Sequence, residues 1–104
     1  MTDEIHNASN EGQVKGQRKQ ENLRAVQDGM DLSWVMGDPR GRRFVWRLIG
    51  FCGIHQDSFS TNALTMANAE GRRKVGLFLE VEILTACPGS FLAMQAEAQK
   101  ENNA

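Results

Sequence analysis

Val75 to Ile83 reads VGLFLEVEI, and how this stretch folds decides the class of the whole chain. Val75, Leu77, Leu79, Val81 and Ile83 alternate with Gly76, Phe78, Glu80 and Glu82, a period of two that suits a strand. A strand needs a neighbour to pair its backbone groups, and the sequence holds no second alternating run. The residues leading into it, from Ala63, are rich in alanine, methionine and glutamate. Ala63 to Ala86 is therefore expected to form one helix buried on most sides. The protein is then all-α, a small domain of three to five helices.

On the C-terminal side, Cys87-Pro88 ends that helix, and the proline opens another that carries Phe91, Leu92 and Met94 to about Lys100. Residues 101–104 are expected to fray. On the N-terminal side, Asn62 or Thr61 is the best cap for the long helix. His55 to Asn62 reads as a polar loop anchored to the core by Phe59.

Asp38 to Ile54, DPRGRRFVWRLIGFCGI, is the densest part of the chain. Asp38 before Pro39 is an N-cap with proline at the first helical position, where the missing N–H costs nothing. At 100° per residue Phe44, Val45, Leu48, Ile49, Phe51 and Cys52 share one broad arc, the predicted core face. Arg43 and Arg47 fall on the far side. Trp46 projects away from the arc, with Arg42 one turn before it and Gly50 and Gly53 beside it. Tryptophan and arginine are the residue types enriched at binding hot spots, although an indole here also suits packing against another helix of the same domain.

Residues 1–16 are polar and charged and cannot repay the entropy of ordering alone, so they read as a flexible tail before a helical domain over 17–100. Leu23, Val26 and Met30 give a helix from about Gln17 a narrow apolar stripe, and Gly29 weakens its end. Asp31 offers a cap for a further short helix, Leu32 to Met36, stopped by Gly37 to make a corner. Gly41-Arg42-Arg43 recurs as Gly71-Arg72-Arg73, an echo that would fit two helices each entering with the same tripeptide.

One domain is all that 104 residues hold, too few for an enzyme with a large cleft. Twelve basic residues balance 13 acidic ones, so net charge alone argues for neither nucleic acid nor an acidic tail. The two cysteines, Cys52 and Cys87, sit inside apolar patterns and read as small buried hydrophobes. With no signal layout and no apolar run long enough to cross a bilayer, the chain is expected to fold in a cytosol.

Catalytic chemistry finds few candidates. His6 lies in the tail and His55 in a loop, neither with a nucleophile and an orienting acid. Glu80 and Glu82 diverge on a helix and cannot work as a pair. No phosphate-cradling glycine loop and no metal quartet is present, so no enzyme activity and no cofactor or metal are expected. Arg40, Arg43 and Arg47, joined by Arg72, Arg73 and Lys74, would neutralise several phosphates, but no base-reading pattern accompanies them.

DLSWVMGDPRGRRFVWRLIGFCGI, with Ser58-Phe59 and EGRRKVGLFLEVEIL, resembles a family of small proteins encoded among the virion-structure genes of short-tailed bacteriophages, typified by one from a Bordetella phage. The resemblance spans about Asp31 to Cys87. It rests on Trp34, the corner from Pro39 to Arg43, Trp46, Ser58-Phe59 and Gly71-Arg72-Arg73, while His55 stands where an aromatic would be expected. It implies a non-enzymatic structural protein of the virion. Such a protein would dock in several copies at the portal and head-to-tail vertex, or leave with the genome. The docking residues would be Arg40, Arg42, Arg43, Trp46, Arg47, Arg72 and Arg73. A nucleic-acid-binding module touching DNA phosphates and an assembly or scaffolding factor are the alternatives.

Overall fold

The computed structural model describes residues 2–54, 59 and 61–103, with side chains from residue 10 onward. Four helices follow one another: α1 (Thr2–Met36), α2 (Pro39–Cys52), α3 (Ala63–Ala86) and α4 (Pro88–Asn102). Among the described residues there is no strand. Val75 to Ile83 is helical, as the missing strand partner requires.

Asp38-Pro39, Asn62 and Cys87-Pro88 mark helix ends as expected. The Asp38 carboxylate accepts from the Arg40 N–H at 2.8 Å, and Pro39 opens α2. Gly53, at φ 66°, closes it in the left-handed conformation that glycine adopts without strain. Asn62 caps α3, its side-chain oxygen accepting from Leu64 N–H at 2.9 Å and Thr65 N–H at 3.1 Å. Cys87 alone joins α3 to α4: its N–H donates to Ile83 O at 2.8 Å, and its own carbonyl accepts from Ser90 and Phe91.

All four helices feed one small core. Met36 from α1, Val45, Ile49 and Cys52 from α2, Ile83 from α3 and Phe91, Met94 and Ala98 from α4 are buried, with Ile54 between α2 and α3. Two glycines let the helices approach. A Cβ on Gly41 would lie 1.9 Å from the Val35 carbonyl oxygen at the end of α1. On Gly76 it would lie 2.4 Å from Ile54 Cγ2 and 2.6 Å from Cys52 Cβ. Gly71, by contrast, faces open space well inside α3. The two Gly-Arg-Arg tripeptides are therefore not equivalent helix entries, since only the first opens a helix.

Several expectations need correction. α1 is one helix from Thr2, with neither a tail to Gly16 nor a break at Gly29. Asp31 does not cap a new helix: its carboxylate accepts from the Gln27 side chain at 2.8 Å within the same one. α4 continues to Asn102, past Lys100. On α2 only half of the predicted arc is covered, and Phe44, Leu48 and Phe51 are exposed. α3 is likewise not buried on most sides: Gly76 and Ile83 are buried, while Phe78, Val81 and Leu84 face outward. Phe59 is exposed, not a core anchor, and His55 and Ser58 lie outside the described residues.

The reason is thickness. The chain measures 72 × 40 × 15 Å, with a radius of gyration of 20.1 Å where a compact chain of this length has about 13 Å. So flat a body covers one side of α3 and leaves much of the other in water.

Gly76→Ala is expected to cost about 1–3 kcal/mol by forcing α2 and α3 apart. Gly71→Ala, in open space, is expected to gain about 0.5–1 kcal/mol from helix propensity. Urea unfolding midpoints moving in opposite directions would establish the contrast.

Candidate binding surface

Arg42 enters on the first turn of α2 and turns inward, its side chain only 13% exposed. Its Nη1 donates to the carbonyl of Met36 at 2.8 Å, one of the oxygens left without a partner where α1 ends. Nη2 and Nε donate to the Glu97 carboxylate of α4, at 2.6 and 3.0 Å to Oε1, with Nε 3.2 Å from Oε2. This fork matches the two-oxygen geometry of a carboxylate. The hydrogen bond from Arg42 holds the Glu97 carboxyl below its ordinary range against the opposing pull of desolvation, and the charges of Arg42 and Arg43 add to it. The same bond raises Arg42 further. Arg42, expected to be a docking residue, is therefore committed inside the fold.

Trp46 lies between the two readings its sequence position allows. It is 37% exposed, its ring edging a pocket of about 200 Å³ that Arg42, Met94, Glu97 and Ala98 also line. That space falls short of the roughly 300 Å³ at which small-molecule sites begin. Arg40, Arg43 and Arg47 are exposed beside it, in a groove closed by Glu101 and Asn102 of α4.

Outside the expected set, α2 presents an apolar strip. Phe44, Leu48 and Phe51 recur at i, i+4 and i+7 on its outer face, 56% and 68% exposed at the two rings. Arginines attend both ends: the Arg47 guanidinium stands 5.5 Å from the Phe44 ring centroid, and Arg72, reaching over from α3, stands 5.7 Å from that of Phe51. Arg73 instead lies 4.0 Å from Glu70 one turn away on α3. Arg72 thus meets α2 at Phe51, one turn past Arg47, and each of the two guanidinium groups stands over a phenylalanine ring. The periodicity that exposes Phe44, Leu48 and Phe51 was visible in the sequence, but it also fits a wide core face.

Trp34 is a further surface aromatic that reasoning from sequence missed as a binding residue. It is 82% exposed and continues the stripe of Leu23, Val26 and Met30 once α1 is known to run through to Met36. Among the described residues no group of three or more histidine, cysteine or acidic side chains is placed to hold a metal ion. No described helix is long and apolar enough to cross a membrane.

Fold and surface together define a small all-α protein that exposes two phenylalanines on α2, each with an arginine over its ring. Residues 32–96 match the model of the Bbp19-like phage proteins, more than half of the chain, and the chain belongs to that family. It is a phage protein, as the resemblance in its sequence implied. No curated protein and no solved structure matches it. The matched residues hold the end of α1, all of α2 and α3 and the first half of α4.

Glu97→Gln is expected to lower the melting temperature at neutral pH. A carboxyl lowered in the folded state adds stability above its ordinary value of 4.5 and loses it as pH falls through the lowered value. The two melting curves should therefore converge in acid, which a calorimetric pH series on both proteins would measure.

Proposed function

We propose that this phage protein is a non-enzymatic structural component of the virion that docks on a larger assembly at the portal and head-to-tail vertex. The observation that carries the reading is the α2 strip. Two phenylalanines and a leucine stay in water on a well-capped helix, each ring attended by an arginine drawn from a different element. Apolar rings with guanidinium neighbours are the composition of interface hot spots, and a monomer gains nothing by displaying them. Arg40, Arg43 and Arg47 edge the strip on one side and Arg72 on the other, so the partner surface would be apolar with an acidic rim. Several copies around a symmetric ring would repeat that contact.

A second reading draws on the same arginines. Arg40, Arg43 and Arg47, exposed at i, i+3 and i+7, are spaced to touch DNA phosphates. Against it, Glu101 shares their groove and the chain carries a net charge of −1.

Mass spectrometry of purified full and emptied particles tests the docking reading. The protein is expected in full particles in a small multiple per vertex. Its loss from emptied ones would mean departure with the genome, and absence from all particles would overturn the proposal in favour of an assembly or scaffolding factor. Phe51→Ala should remove it from particles, since truncating a hot-spot ring costs about 2 kcal/mol or more of binding, roughly 30-fold. Filter binding separates the DNA reading: three phosphate contacts predict affinity falling about 40-fold between about 50 and 200 mM salt.

A further inference from the structure

The outer face of α2 is an apolar row with arginine on both flanks. Phe44, Leu48 and Phe51, at four- and three-residue steps, have the spacing by which one helix packs along another, and the row runs for about 10 Å of the axis. At 100° per residue Arg40, Arg43 and Arg47 fall along one side of it, and all three are exposed. α3 lies on the other side, where Gly76 abuts Cys52, and brings the exposed Arg72 to the Phe51 ring. None of these four arginines is ion-paired with a carboxylate among the described residues.

The acids nearby do not cancel them. Glu101 shares the groove of Arg40, Arg43 and Arg47, one carboxylate against three guanidinium groups. Glu97 is taken up by Arg42, and Asp38 by the cap of α2. On α3, Glu70 falls on the opposite side from Arg72 and near Arg73, while Glu80 and Glu82 stand about 12 and 15 Å further along the helix. Both flanks of the row are therefore positive, and this decides against a second copy of α2 as the cover. Laid antiparallel, two such rows bring Arg47 up to Arg47. Laid parallel, they set the Arg40 and Arg47 flank of one against the Arg72 flank of the other.

An extended segment fits no better. Among the described residues no strand offers an edge, so an extended chain laid over Phe44 and Phe51 would bury N–H and C=O groups without partners. A helix arrives with those bonds already made. Duplex DNA would satisfy the arginines but leave the apolar row between them in water.

Resting on the docking reading above, we infer that the element seated on α2 is a helix of a different protein, with an apolar row of its own and carboxylates on both sides of that row. Its apolar side chains interleave with Phe44, Leu48 and Phe51, and its acids meet Arg47 on one flank and Arg72 on the other. Each of these guanidinium groups already stands over a ring, at 5.5 and 5.7 Å, so an arriving carboxylate finds its donor in place.

Carbodiimide coupling in purified particles, which joins an ammonium to a carboxylate in contact with it, tests the inference. Guanidinium groups do not couple, so Arg47→Lys and Arg72→Lys, both at exposed positions, supply the amines, and the wild type is the control for the native lysines. Each variant is expected to enter particles and to couple at the substituted position to an aspartate or glutamate of another protein, the two acids lying within about two turns of one helix. Arg47→Glu should lower the copies per particle by about tenfold or more. Circular dichroism on the purified variants checks their folding, and Arg72→Lys serves in place of Arg47→Lys if the latter does not fold. Coupling to another copy of this chain, or no coupling by variants that do enter particles, overturns the inference while the docking reading stands. Absence of the wild type from all particles overturns both.

Discussion

One guanidinium stands where three helices have to agree. Arg42 belongs to α2, takes the last carbonyl of α1 and grips a carboxylate on α4. The two contacts tie the first turn of α2 to the end of α1 and to α4. Planar, permanently charged and forked, arginine can satisfy a carbonyl and a carboxylate at once, which a lysine ammonium does with less directional control. Gly41 next to it completes the corner, since any side chain there would strike the end of α1. The aromatic strip of α2 faces outward because this junction turns the opposite stripe, Val45, Ile49 and Cys52, toward α3 and α4.

A body whose Cα atoms span only 15 Å in its thin direction has one small inside. Apolar residues on the second face of α3 and along α2 and α1 are left in water, whatever their hydrophobicity. The exposed apolar surfaces of α1, α2 and α3 all follow from this one shortage of cover.

Much of the helical layout was legible locally. Asp38-Pro39, Asn62 and Cys87-Pro88 act within a few residues of themselves, and each produced the helix boundary its chemistry predicts. The absence of a second alternating run settled Val75 to Ile83 against a strand. Less legible was which apolar residues would be covered. Phe44 and Val45 are neighbours of similar hydrophobicity, and only the approach of α3 and α4 separates the buried one from the exposed one. The arginines divide in the same way. Arg42 and Arg43 are adjacent and chemically identical, yet one points at Met36 and Glu97 while the other faces solvent.

By itself, then, the sequence determined the all-α class, the caps, the corner at Gly37 and the family to which residues 32–96 belong, because those depend on short-range chemistry and on motif identity. Only the tertiary structure decided that α1 runs unbroken, that Arg42 is an internal clasp and that Phe44, Leu48, Phe51 and Trp34 form the surface. Burial is a property of which helices meet and at what distance. In so thin a body the meeting of a few helix faces leaves most apolar positions free to go either way.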